Sequence, residues 1–100
     1  MIHLEGFNSR GKPGEMEELL GRLIPYWRTR GFEVHVYARQ YSFGNKEFYL
    51  STWIDSMGDI DGWEKIAQGE EQGQKLMAEM VALATDFEAI VIGELYPPEK

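Results

Sequence analysis

Three features of this 100-residue chain predict an α+β fold, a ferredoxin-like β-α-β-β-α-β arrangement on a four-stranded antiparallel sheet. Three segments alternate in character with a period of two, as strands do when one face is buried and the other is not. Two stretches repeat apolar residues at helical spacing. The order of these segments leaves few topologies once crossovers are right-handed, and it places both helical regions on one side of the sheet.

The first strand is predicted over residues 1–8, with His3, Glu5 and Phe7 on one face. Asn8-Ser9-Arg10-Gly11-Lys12-Pro13-Gly14 reads as a loop, with Pro13 suited to a first helical position. Met16, Leu19, Leu20, Leu23 and Trp27 then recur at helical spacing, giving an amphipathic helix over 13–30 that Gly31 stops. Pro25 lies inside it and removes a backbone donor from the last turn. The second strand, 32–39, sets Glu33, His35, Tyr37 and Arg39 against an apolar face. The third, 47–54, sets Glu47, Tyr49, Ser51 and Trp53 against Phe48, Leu50 and Ile54. Ser42-Phe43-Gly44-Asn45-Lys46 joins the two as a hairpin.

Ser56-Met57-Gly58-Asp59 breaks the third strand and can cap a short helix marked by Ile60, Trp63, Ile66 and Ala67. Gly69 separates it from a longer helix striped by Leu76, Met77, Met80, Leu83 and Ala84. The last strand, 87–96, is apolar on both faces and is expected to be central or covered. Residues 1–96 thus read as one domain and 97–100 as a tail.

Composition narrows the partners. A formal charge of -7 disfavours nucleic acid and anionic membranes, both of which reward a concentrated basic surface. The chain has no cysteine, so disulfides, thiolate nucleophiles and zinc–cysteine sites are excluded. No apolar run approaches the ~20 residues that span a bilayer. The N-terminal residues lack the pattern of a secretory signal, and the expected location is cytoplasmic.

In this fold one sheet face meets the helices and the other is bare. Four strands about 4.8 Å apart, each five or six residues long at ~3.3 Å, give that face on the order of 300–400 Å². The alternation assigns to it Phe7, Tyr37, Tyr49 and Trp53 together with His3 and His35. An apolar patch of this size often marks an interface. A homodimer formed through the sheet face would bury these aromatics and enclose a cavity for a small molecule. Polar groups enclosed there would need hydrogen-bond partners, which a ligand-lined cavity supplies better than a dry core.

Phe48-Tyr49-Leu50-Ser51-Thr52-Trp53-Ile54-Asp55-Ser56, followed by Asp61-Gly62-Trp63, resembles the dimeric α+β barrel superfamily, in particular its antibiotic-biosynthesis-monooxygenase-like branch. The resemblance covers essentially the whole chain in element order, through short motifs. It implies two protomers whose sheets form a barrel, with a pocket inside the barrel or between each sheet and its helices. It also implies oxidation of an aromatic or apolar compound without a cofactor, or a non-catalytic ligand-binding or regulatory dimer. The haem-degrading relatives carry an asparagine near the end of the first strand, a tryptophan on the helix after the third, and a haem-ligating histidine on the next helix. Asn8 and Trp63 match the first two positions; residues 69–85 contain no histidine, with Gln72 and Gln74 near the expected place. Haem iron needs a donor such as imidazole there, so no cofactor is expected.

The candidate catalytic residues are His35 and His3, either of which could act as a base near neutral pH, and Arg39, which could stabilise an oxyanion. Cross-strand pairing of Arg39 with Glu47 at the hairpin is the competing reading, and the one the strand geometry favours. Tyr37, Tyr49, Trp53, Phe7, Asn8 and Trp63 are the candidate substrate-binding residues. A metal-dependent enzyme using His3, His35 and Glu5 is a further alternative, since imidazole and carboxylate suit zinc or non-haem iron. No glycine-rich phosphate loop, nucleophile elbow or serine triad is present.

Overall fold

A computed structural model describes residues 1–38 and 46–93. Arg39, most of the expected hairpin loop, residues 94–96 of the expected last strand and the tail lie outside the described residues. The elements are β1 (Ile2–Ser9), α1 (Glu15–Arg28), β2 (Val34–Ala38), β3 (Phe48–Trp53), α2 (Gly58–Gly69), α3 (Glu71–Leu83) and β4 (Ala84–Ile92). All strand pairs are antiparallel, in the order β2-β3-β1-β4. This is the expected ferredoxin-like sheet, with its second helical layer split into α2 and α3.

Helix α1 begins at Glu15, two residues after the expected start, because Gly14 takes a left-handed conformation with φ of 89°. Its apolar stripe, Met16, Leu19, Leu20, Leu23 and Ile24, is buried, and Glu15, Glu17 and Glu18 occupy the electropositive first turn. Pro25 stays within the helix. Glu70 alone is extended between α2 and α3, and it forms an ion pair with Arg30, just past the end of α1, whose guanidinium lies 3.6 Å from the centre of the Tyr26 ring. Gly73 lets the helices close: a Cβ there would meet the Tyr26 hydroxyl and, at 2.8 Å, the Ala67 backbone.

The register decides which face each side chain occupies. Directly opposed residues of an antiparallel pair share a face. His3 opposes Thr52, Glu5 opposes Leu50 and Phe7 opposes Phe48, while Val34 and Val36 oppose Thr52 and Leu50. His3, Glu5 and Phe7 therefore point toward the helices. This corrects the expectation for β1, in which they shared the bare face with His35 and Tyr37. The bare face instead carries Ile2 and Leu4 from β1, with His35, Tyr37, Tyr49, Ser51 and Trp53 as expected for β2 and β3. Gly6 also lies there, beneath Tyr49 and the Lys46 stem; a Cβ on Gly6 would come within 2.9 Å of Lys46 Cγ.

The core centres on Phe7, fully buried and stacked between Phe48 at 5.9 Å and Phe87 at 5.7 Å. Strand β4 pairs with β1 alone and forms an edge of the sheet, with Ile90 and Ile92 exposed. That corrects its expected central or covered place: beyond Ala84 and Thr85 most of the strand is exposed, Phe87 included. A register shift between Gly6 and Asn8 accompanies a positive φ of 54° at Asp86.

Candidate functional site

Between the helix-facing side of the sheet and the three helices lies a cavity of about 800 Å³. Its floor is the sheet: Glu5, Leu50, Thr52 and Val34, with Phe87 at the β4 side. Leu23, Ile24 and Trp27 of α1 form one wall, Met77, Met80 and Val81 of α3 another, and Ile60, Trp63 and Ala67 of α2 close the third. Glu64, Gln68 and Gln74, all exposed, supply a polar rim. The volume falls in the range of small-molecule sites, which are mostly apolar with a few placed polar groups.

Trp63 is positioned by a continuous series of edge-to-face aromatic contacts. Tyr26 meets Trp27 at 5.1 Å, Trp27 meets Phe32 at 5.6 Å, Phe32 meets Trp63 at 6.1 Å, and Trp63 meets the His3 imidazole at 5.0 Å. This series runs from α1 through the entry to β2, onto α2 and down to β1. It holds α2 over the cavity, although α2 packs chiefly on α3. The Trp63 indole nitrogen is buried without a hydrogen-bond partner.

Among the described residues Glu5 is the one ionisable group on the cavity floor. Its carboxylate oxygen lies 3.3 Å from His3 Nδ1, and only about a quarter of its side chain is exposed. Burial among apolar groups pushes the carboxyl up to about 7 from 4.5. Burial also holds the His3 imidazole below its usual 6.5. The contact departs from hydrogen-bond geometry, and Nδ1 is otherwise unpartnered. The two groups thus favour uncharged forms: a neutral imidazole behind a carboxyl that titrates near neutrality. A carboxyl in that state can both accept and return a proton at physiological pH.

The residues singled out from the sequence divide between the two sides of the sheet. Trp63 lines the cavity. His3 lies behind Glu5, buried and outside the lining. Phe7 belongs to the core. Asn8 ties strands together: its side-chain amide donates to Asp86 Oδ2 at 3.1 Å, and its oxygen accepts the Glu47 backbone N–H at 2.7 Å. His35, Tyr37, Tyr49 and Trp53 occupy the opposite face, where His35 Nε2 lies 3.3 Å from Glu33 Oε1. Because His3 and His35 point to opposite faces, they cannot converge with Glu5 on one ion, and the metal-site alternative is set aside. Among the described residues no group of three His, Asp or Glu side chains is placed to hold a metal.

Glu5, expected beside His3 on the bare face and weighed there as a metal ligand, is carried by the register into the cavity instead. The signal lay in Phe7: an aromatic two residues along the same face is the core anchor, and it fixes the parity that carries Glu5 inward.

No protein-family model and no curated protein matches the chain. Among solved structures it is similar to a protein of Arabidopsis thaliana, with 10% identity over 98% of both chains and a TM-score of 0.72. It is also similar to a dimeric ferredoxin-like protein of unknown function from Thermobifida fusca, with 15% identity over 89% of this chain and 85% of that one, at a TM-score of 0.67. A third is SnoaB, a cofactor-independent oxygenase from Streptomyces nogalater, with 17% identity over 97% and 96% and a TM-score of 0.66. Among the described residues no helix is long and apolar enough to cross a membrane. By strand order, register and these likenesses, the chain has a ferredoxin-like α+β fold.

Proposed function

We propose that the chain binds an aromatic or largely apolar small molecule in the cavity between sheet and helices, and oxidises it without a resident cofactor. The observation that carries this reading is a cavity of about 800 Å³ whose floor presents the Glu5 carboxyl, poised near neutral pH. Oxidation without a cofactor begins with a proton: removing it from an enol or phenol leaves an anion that dioxygen can oxidise. Net, a ring methylene gives up two hydrogens, which leave as water with one oxygen atom of O2, while the other atom becomes the new carbonyl. The fold likeness to a cofactor-independent oxygenase supports the reaction class. Trp63 and Trp27 supply flat walls for an aromatic ring.

The second half of the proposal is a homodimer through the bare sheet face. Tyr37, Trp53, Ile90 and Ile92, each about half exposed, supply apolar surface there, with Trp53, Ile2 and Ile92 side by side in register. The dimeric state of a protein of similar fold supports it.

The test uses anthrone as probe, with product formation and oxygen uptake measured beside thermal stabilisation. Saturable oxygen uptake with a ketone product supports the oxygenase reading. Stabilisation without product makes the chain a ligand-binding protein, and neither effect refutes the site.

A further inference from the structure

We infer that the cavity also catalyses reversible enolisation of an aromatic ketone to its enolate, with Glu5 taking a proton from the carbon beside the carbonyl and returning it, and Thr52 donating a hydrogen bond to the enolate oxygen. The inference rests on the proposed occupancy of the cavity by an aromatic ligand, but it needs no oxidant. The C–H electron pair becomes the C=C bond, the carbonyl π pair moves to oxygen, and the proton waits on Glu5. Its return to carbon restores the ketone, so atoms and electrons balance within substrate and protein.

Three observations place the parts. Glu5 and Thr52 lie on adjacent strands with their side chains on the same face, and both line the cavity floor. Glu5 opposes Leu50 and Thr52 opposes His3, so the two stand in diagonal register, roughly 7 Å apart. A ketone fits that gap, its acidic carbon over the carboxylate and its oxygen toward the hydroxyl. Second, the apolar lining makes the Glu5 carboxylate a stronger base than an exposed one, and its titration near 7 keeps both protonation states populated at work. Third, His3 stands behind Glu5 at 3.3 Å, braced by the Trp63 edge, and so limits where the carboxyl can turn.

His3 is a positioning residue here and does not line the cavity. The remaining titratable side chain at the cavity, Glu64 on α2, lies at the exposed rim and accepts a hydrogen bond from Gln68 at 3.1 Å. It is therefore separated from the floor where the carbon acid would sit. No titratable group of α1 or α3 lines the cavity among the described residues.

The experiment follows hydrogen–deuterium exchange at the acidic carbons of 2-tetralone in D2O under argon, by proton NMR, with the full chain. The expected result is saturable acceleration over buffer, following the ionisation of a group near pH 7. Glu5→Gln should slow it by about 100-fold or more while leaving 2-tetralone binding in place. Thr52→Val should slow it about tenfold or more with little change in the pH profile. His3→Gln should move the pH midpoint. Exchange that is equal in Glu5→Gln and the parent overturns the inference, as does binding of 2-tetralone without accelerated exchange, which leaves the cavity reading standing. Failure of 2-tetralone to bind, seen as unchanged linewidths, overturns both. Should Glu5→Gln misfold, Glu5→Asp, which withdraws the carboxyl by one carbon, must still lose exchange while remaining folded.

Discussion

Replacing Glu5 with Gln should stabilise the protein, and only above mildly acidic pH. The carboxyl is raised from 4.5 to about 7 because burial penalises its charged form. The folded state therefore binds this proton more tightly than the unfolded chain does. Stability falls as pH rises from 4.5 to 7 and levels off above, where both states are ionised. At about 1.4 kcal/mol per pH unit, this amounts to about 3 kcal/mol of destabilisation at pH 8. Gln has the same shape and no charge, so the variant escapes that cost. His3 acts in the opposite direction: burial holds its imidazole below 6.5, so protonating it below that pH destabilises the fold in parent and variant alike. Urea denaturation of both proteins at pH 4, 6 and 8 checks the prediction. The gain should be near zero at pH 4 and should grow to about 3 kcal/mol at pH 8. A variant that is equal to or less stable than the parent at pH 8 refutes the claim that Glu5 is ionised at a cost inside an apolar cavity.

Other parts of the account make separate predictions. Asn8→Ala removes the tie between β4 and the start of β3, and should cost about 1–3 kcal/mol in denaturant melts, since two hydrogen bonds are lost. Gly73→Ala forces a methyl against Tyr26 and the Ala67 backbone, and should lower stability by about 1–3 kcal/mol. Circular dichroism during thermal unfolding would show it. Trp53→Lys places a charge on the bare face, and light scattering should fall from twice 11.5 kDa to 11.5 kDa with the fold intact. A parent already at 11.5 kDa would contradict the dimer.

How far the sequence was legible depends on what fixed each strand's parity. In β3 the polar and apolar sets differ sharply: Phe48 and Leu50 alternate with Tyr49 and Ser51, and the burial follows; in β2 the register keeps Val34 and Val36 on the helix side, although only Val34 is buried. In β1 both sets are plausible for a core. Ile2 and Leu4 are as apolar as any core pair, so His3 and Glu5 were expected outside. What overrides this is pairing: Phe7 opposes Phe48, and Gly6 must lack a side chain because Lys46 and Tyr49 pack over it. Both facts arise from residues some forty positions away, which periodicity within one segment does not see. The same limit hid which side chains line the cavity, whose floor joins all four strands while its roof comes from three helices. The element order was recovered because Gly31, Gly69 and the spacing of Leu19, Leu23 and Trp27 act locally. The edge position of β4 was not, since only strand order sets it.

The central claim is that β1 turns Glu5 inward onto an apolar cavity. Its most direct test is the carbon-13 NMR titration of the Glu5 side-chain carboxyl, assigned by comparison with Glu5→Gln. The account predicts a midpoint near 7, and a shift of that resonance when an aromatic ligand is added. A midpoint near 4.5, unmoved by ligand, would mean that the carboxyl sits in water and that the cavity does not hold the site.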